Sequence, residues 1–377
     1  MKILAVINAR SNYACLKSAL LAIQNHPKLE LKVVCGGSST LQDYGNVSDL
    51  IRKDGLPVDR ELYSMVRGDL PQVMVRSMAV SAIDLSQVFA EENPDCVLIV
   101  GDRFETLAAA VTAAYMNIPL AHVQGGERSG SIDEKIRHAI TKLADIHFPA
   151  TMQAGKNIAQ MGEGKIFVTG CPSIDLLTDL PPIDESLLKL GSGAEIDIRQ
   201  PYLVVLQHPV TTHFNGAEGQ IGKTLEAIKA IGMQTIWLWP NIDSGSDRIA
   251  KYLRQHGRGN IRYFRNFPPE QYAAIIKECV CLVGNSSSAL RTGAFLGVPA
   301  VNIGDRQKYR EAALNVLHCR HDVASITEAV QYQIRFHSAW GRYEPSVLYG
   351  KGNAGQQIAD ILAATPLTYE KVFEVIR

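Results

Sequence analysis

The run Cys96-Val97-Leu98-Ile99-Val100 is apolar at every position and ends in Gly101-Asp102-Arg103. An unbroken apolar run of this length, bounded by turn residues, marks a strand buried on both faces, as in a parallel sheet covered by helices. The next segments agree. Phe104 to Tyr115 is alanine-rich and reads as a helix, and Pro119 to Val123 as the next parallel strand. The end of that strand carries His122, Gln124, the Gly125-Gly126 pair and Glu127. In open α/β sheets, ligands collect outside the carboxyl ends of the strands. Asp102, Arg103, His122 and Glu127 are therefore expected on one rim.

Ser131-Ile132-Asp133-Glu134 reads as an S-x-x-E capping box opening a helix through about Leu143. Asp133 with Arg137, and Glu134 with His138, are spaced to pair one turn apart, and Ile136, Ala139, Ile140 and Leu143 form the expected buried stripe. A plainer reading has Glu134 only capping the helix and Asp133 only favouring its positive end. Against it stands the cluster: four carboxylates, two histidines and two arginines around adjacent loops point to acid–base work on an anionic ligand.

Earlier in the chain, Lys2 to Ile7 reads as a strand, Asn8-Ala9-Arg10 as its loop, Tyr13 to Gln24 as a helix and Leu29 to Val34 as a second strand. Residues 38–75 read as irregular and polar, with a turn at Asp43-Tyr44-Gly45-Asn46, before a helix from Arg76 to Glu92. Ile166 to Val168 reads as a further strand. Gly170-Cys171-Pro172-Ser173 then turns the chain out of the first domain, and Leu180-Pro181-Pro182 and Gly191-Ser192-Gly193-Ala194 mark the hinge region. A second series of strand–helix units comes next. Leu203 to Leu206 ends in Gln207-His208-Pro209, Ile221 to Ile231 is a helix, and Thr235 to Trp239 ends in Pro240-Asn241-Ile242-Asp243. Cys279 to Val283 ends in Gly284-Asn285-Ser286-Ser287-Ser288, and Ala300 to Ile303 in Gly304-Asp305-Arg306-Gln307. The fold class expected is α/β, with two Rossmann-like domains facing a cleft: residues 1–175, residues 176–360, and a helix over 361–377 packing back on the first.

The Ser286-Ser287-Ser288 turn has the chemistry of a phosphate cradle, with free N–H groups and the next helix's positive end offered to an anion. Arg291 and Arg306 could add charge, and His208 sits on the expected ligand rim. Trp237 and Trp239 alternate along one strand and read as core. The loop after the first strand lacks the G-x-G-x-x-G fingerprint and no P-loop lysine is present, so neither NAD nor ATP is suggested.

Thirty-eight basic residues balance thirty-eight acidic ones, so no bias toward nucleic acid or membrane arises. The opening MKILAVINAR is too short for a signal h-region, and no apolar run is read as approaching membrane-spanning length. Of the seven cysteines, only Cys279 and Cys281 are close in sequence, and they lie in an apolar strand. Reduced core thiols and a cytoplasmic location are expected.

In order and spacing, GDRFE, HVQGGE, SIDEKIRHAITKLA, GCPS, LQHPVTT, PNIDSGS, GNSS and GDRQ resemble the hydrolysing UDP-N-acetylglucosamine 2-epimerases of the sialic- and legionaminic-acid pathways. The likeness runs through both halves to YGKGNA near residue 354. It implies the glycosyltransferase-B fold, with sugar and acid–base groups on the first domain and nucleotide on the second. It also implies anti elimination of the nucleoside diphosphate to a 2-acetamidoglycal, then hydration to a free C2-inverted sugar. Under the resemblance, Asp102, Asp133 and Glu134 become acid–base candidates. Arg10, Arg103, His208, Asn241, Ser286, Ser287 and Arg306 become nucleotide or phosphate candidates. The surrounding His122, Gln124, His138, Asp243, Ser288, Arg291 and Thr292 complete the expected substrate site. The chain also departs from the family. Gln124 stands where the family has a catalytic glutamate, so either Glu127 takes over or the proton route differs. Thr292 stands where a glutamate holds the ribose, Asn12 and Cys15 replace an aspartate and a lysine, and Ser39 replaces a histidine. The expected partner is a UDP- or GDP-linked amino sugar, acted on by a homodimer or homotetramer without cofactor or metal. A nucleotide-sugar hydrolase, a glycosyltransferase or a non-catalytic binder would use the same frame.

Overall fold

A computed structural model describes residues 1–42 and 45–371. Part of the turn expected at Asp43-Tyr44-Gly45-Asn46 thus lies outside the described residues. The first sheet comprises β1 (Lys2–Ile7), β2 (Glu30–Cys35), β3 (Arg60–Glu61), β4 (Cys96–Val100), β5 (Leu120–Val123) and β6 (Ile146–Phe148). Their order is β3-β2-β1-β4-β5-β6, and every pairing is parallel. The second sheet comprises β7 (Ser192–Gly193), β8 (Leu203–Leu206), β9 (Thr235–Leu238), β10 (Ile261–Phe264), β11 (Cys281–Gly284), β12 (Ala300–Ile303) and β13 (Val316–Cys319). These lie in the order β13-β12-β11-β8-β9-β10-β7, parallel except for β7 at the edge.

Two-sided burial explains the apolar runs. Along β4, Cys96, Leu98 and Val100 face a core with Leu16 and Leu20 of the helix Arg10–Asn25, while Val97 and Ile99 face Leu85 and Phe89 of the helix Pro71–Glu92. Strand order reverses between β1 and β4, and again between β8 and β11. Such switch points open a crevice at the carboxyl ends of the strands. Gly284 seals the second one: its φ is +138°, and a Cβ there would lie 2.0 Å from the Leu206 carbonyl oxygen. The two switch points face each other.

Several expectations change. Residues 38–75 are more regular than read, holding the helix Val47–Lys53, strand β3 and the first turn of Pro71–Glu92. That last helix, with mean hydropathy 1.3, is long and apolar enough by length and composition to cross a membrane, contrary to the sequence reading. It packs here on the helix Phe104–Tyr115. Ile166 to Val168 makes only a single bridge, Ile166 to His147, along the outer edge of β6. The stretch read as a hinge at Ser192-Gly193 is the antiparallel edge strand β7, so it is sewn to the second sheet. The tail helix runs Ala354–Ala364 rather than 361–377, and residues 372–377 lie outside the described residues. Ile358, Ala359 and Leu362 join the first domain's core, and Asp175 accepts from the Ala354 and Gly355 N–H groups at 3.0 and 2.7 Å. The sequence reading also passed over Ser246–His256, Pro269–Glu278 and Val323–Trp340, three helices of the second domain.

Candidate active site

Two cavities, of about 150 and 120 Å³, meet at Cys15, His208, Asn241, Ser286, Ser287 and Arg291, so they are arms of one cleft. The larger arm is apolar, walled by Leu206, Leu238, Phe267 and Tyr272, with Arg10 and Thr292 at its margin. The smaller arm holds Asp102, Asp133, Arg137 and Arg306.

Between them lies the Gly284-Asn285-Ser286-Ser287-Ser288 turn, read from sequence as an anion cradle. Asn285 organises it by gripping the end of β8: its Oδ1 accepts from the His208 N–H at 2.7 Å, and its Nδ2 donates to the His208 carbonyl at 2.8 Å. The His208 ring accepts at Nδ1 from the Asn241 N–H at 3.2 Å, which leaves Nε2 as its proton-bearing nitrogen. Burial, then Arg306, Arg10 and Arg103, holds the His208 pKa well below the ordinary range, so the ring is a neutral donor. The Ser286 hydroxyl accepts from Ser288 Oγ at 2.9 Å. The Ser286 and Ser287 N–H groups have no acceptor among the described residues. The cradle departs from expectation in one respect: the next helix begins only at Thr292 and spans four residues, so its dipole does not point at the serines.

Facing the cradle is a lattice of buried charges. Asp102 pairs with Arg137 and lies 3.9 Å from Arg310. Burial raises its pKa, but Arg137, Arg310 and Arg306 outweigh that and hold it at about 2. Asp133 behaves oppositely. Its contacts are Ser131 Oγ at 2.8 Å and Arg306 at 3.4 Å. Burial, with Asp102 and Asp243 nearby, leaves its pKa raised despite Arg306. The expected Asp133–Arg137 pair does not form, because Arg137 turns inward to Asp102. The buried face of that helix is consequently Arg137, Ile140 and Thr141, with Ala139 exposed.

Other expected site residues take supporting places. Glu127 is buried, with both oxygens 2.6 Å from Arg291 and one 3.0 Å from Arg310, and its pKa is lowered because these cations outweigh burial. Arg291 also donates to Gln124 Oε1 and so is not free for phosphate. Glu134 does not close the capping box; it accepts from the Ser129 N–H at 2.6 Å and lies 3.8 Å from His138. His122 does not reach the cleft. Nε2 meets the Gly101 carbonyl at 2.8 Å, Nδ1 meets Thr141, and burial pushes its pKa down to about 3. Arg103 is held by buried Glu105 and by Asp243 at 3.2 Å, and Arg10 donates to the Trp239 carbonyl at 2.8 Å. Ser39 is buried on backbone carbonyls. Sequence reasoning missed Arg310 and the roles of Arg137 and Asn285. The spacing of Arg306 and Arg310 after β12 was the available signal.

The domains also touch directly. Gly130 donates to the Arg306 carbonyl at 3.1 Å, and a Cβ on Gly130 would lie 1.8 Å from the Asp305 carbonyl oxygen. Gly130→Ala is therefore expected to part the domains and weaken nucleoside diphosphate binding. Calorimetry checks this, and unchanged affinity would refute it.

Two parallel α/β sheets whose switch points face one cleft, with a serine turn on one rim and buried carboxylates on the other, define a two-domain fold of the glycosyltransferase-B type. The chain belongs to the UDP-N-acetylglucosamine 2-epimerase family, whose profile matches residues 21–363. Among its relatives, a UDP-N-acetylglucosamine 2-epimerase of Neisseria meningitidis is 30% identical over 88% of this chain and 86% of its own length. A hydrolysing UDP-N,N'-diacetylbacillosamine 2-epimerase of Legionella pneumophila is 29% identical over 97% of this chain and 96% of its own. In structure, the Neisseria meningitidis UDP-GlcNAc 2-epimerase bound to UDP-GlcNAc superposes with a TM-score of 0.79 at 20% identity, covering 97% of this chain and 100% of that one.

Proposed function

We propose that this chain is a hydrolysing 2-epimerase of a nucleotide-linked N-acetyl amino sugar, UDP-N-acetylglucosamine or a close relative. The observation that carries the reading is the placement of a raised-pKa carboxylate, Asp133, and an anion cradle on opposite sides of one cleft. Anti elimination needs both: C2–H is not flanked by a carbonyl, so C1–O cleavage must lead and the departing diphosphate must be held. In this reading the Ser286 and Ser287 N–H groups, His208 Nε2–H and Arg306 receive the diphosphate, while Asp133 exchanges the C2 proton. Asp102 stays ionised and holds Arg137. Glu127 and Glu134 organise the wall instead of moving protons. A cytoplasmic homo-oligomer belongs to the same proposal; the exposed Val75 and Ile83 of the helix Pro71–Glu92 suit a subunit contact, and sedimentation tests it.

Turnover in deuterated water is expected to place deuterium at C2 of the released sugar, read by proton NMR against a panel of UDP- and GDP-sugars. Nucleotide release without C2 deuterium would leave a hydrolase. His208→Ala is expected to weaken nucleoside diphosphate binding by ~1–3 kcal/mol, the scale of a lost buried hydrogen bond. Unchanged affinity by calorimetry would remove His208 from the cradle.

A further inference from the structure

A third cavity, of about 360 Å³, opens beside the two arms of the cleft. It shares Asp102, Arg103, Asp133 and Arg306 with the smaller arm and no residue with the larger one. Its walls are of another kind. They are Met74 and Met78 from the helix Pro71–Glu92, Phe104 and Leu107 from Phe104–Tyr115, and Ile132 and Ile136 from Ile132–Leu143. Each helix thus offers two apolar side chains three or four positions apart, which places them one above the other on one face. Folding does not account for all of them. Met74, Met78 and Ile132 are half-buried and join none of the hydrophobic cores among the described residues. Apolar surface held open beside a few convergent polar groups is the pattern of a ligand pocket.

The order of the cavities indicates what fills it. His208, Ser286 and Ser287 border both arms but not this cavity, so it lies beyond Asp102 and Asp133 on the side away from the cradle. In the proposed reaction the cradle holds the diphosphate on C1, and Asp133 meets C2. Across a pyranose ring C4 stands opposite C1, with C5 beside it, so the groups on C4 and C5 point away from the cradle. Hydroxyls there would lose water against these walls without gaining partners, whereas methyl groups gain from the same burial. We infer that this pocket reads the far end of the sugar, and that the substrate carries an acylamino group at C4 and a methyl in place of the C5 hydroxymethyl. The inference rests on the proposed 2-epimerase reading and narrows its substrate class. The acyl methyl and the C5 methyl meet the apolar walls, and the unbranched methionines adapt to the shape between them. The second amide N–H goes to Ser244, which borders the pocket from the second domain. Its Oγ donates to the Asp69 carbonyl at 3.0 Å and keeps lone pairs to accept that N–H.

Turnover is measured in deuterated water on two sugars, each UDP- and GDP-linked, that differ only at C4 and C5: N-acetylglucosamine and its 4-acetamido-6-deoxy counterpart. The second is expected to exceed the first in kcat/KM by roughly 10–100-fold, the discrimination that small apolar groups give in an apolar pocket. Met78→Gln and Ile136→Thr should each narrow that ratio, while Met78→Leu keeps it. A fold defect lowers both sugars alike, so the ratio carries the test, and either polar variant suffices should the other not fold. Equal kcat/KM for the two sugars, or a ratio unmoved by the polar variants, would overturn the inference. If neither sugar gives a C2-deuterated product, the 2-epimerase reading fails by itself, and calorimetry with the intact nucleotide sugars decides the pocket. Roughly tenfold tighter binding of the diacylated sugar would then sustain the pocket, and equal affinities would overturn it.

Discussion

Asp133→Asn is expected to lower turnover by ~10²–10⁴-fold, the usual loss when a general acid–base group is removed, with little change in nucleoside diphosphate affinity. The substitution keeps the side chain's shape and its contact with Ser131 while removing proton transfer. Asp133 suits the role because burial, Asp102 and Asp243 raise its pKa against the pull of Arg306. Its one cationic contact is loose, at 3.4 Å, and the same Arg306 borders the cradle. A bound diphosphate would draw Arg306 away and leave a more basic carboxylate beside the sugar. The acid limb of the turnover–pH profile should therefore lie above the ordinary carboxylate range, because the base form is lost as pH falls through a raised pKa. It should lie higher for kcat than for kcat/KM. Full activity in the asparagine variant would remove Asp133 from the mechanism. Asp102→Asn tests a different role, since it leaves Arg137 without its carboxylate.

The strands that carry this site were legible because two-sided burial writes itself as continuous apolar runs. Cys96–Val100, Leu203–Leu206 and Ala300–Ile303 fall where the sequence puts them, and the rims follow from parallel topology. Harder to read were segments whose partners lie far away in the chain. Ser192-Gly193 looks like a hinge until β10 pairs with it, and Ser131-x-x-Glu134 looks like a capping box until Ser129 takes the glutamate. Arg137 is the clearest case. Local spacing assigns it to Asp133, but a guanidinium at that depth needs a full ion pair, and Asp102, thirty-five positions away, supplies one. Local spacing rules hold on exposed faces with few tertiary partners, and they fail where burial makes charge balance the stronger demand.

Gln124 gains a physical setting from the same balance. A carboxylate there would stand beside Glu127 and the Cys171 sulfur, with Arg291 between them. The amide instead accepts from Arg291 at one end and donates to Cys171 at the other. In this wall the amide oxygen and the sulfur share the arginine that a second glutamate would have needed.

Glu127→Gln is expected to destabilise the protein by ~3–5 kcal/mol, the range for breaking a buried ion pair from one side, because Arg291 and Arg310 would be left facing each other. Arg310 already shows the tension: burial, with Arg137 and Arg291 nearby, lowers its pKa, and Glu127 is the partner that opposes this. The pH dependence follows from the direction of each shift. Glu127 and Asp102 have folded pKa values below their unfolded ones, so they stabilise the fold above the ordinary carboxylate range. That contribution is lost as pH falls from ~4 toward the folded value, about 2 for Asp102. His122 and His208 are also depressed, which makes the unfolded chain the better proton acceptor once pH drops below ~6.5. Urea midpoints should thus decline in two stages, the histidine stage below about pH 6.5 and the carboxylate stage below about pH 4. In Glu127→Gln the whole curve should start lower and the carboxylate stage should shrink, while the histidine stage persists. A variant as stable as the parent at neutral pH, with an unaltered carboxylate stage, would show that Glu127 does not hold the two domains together.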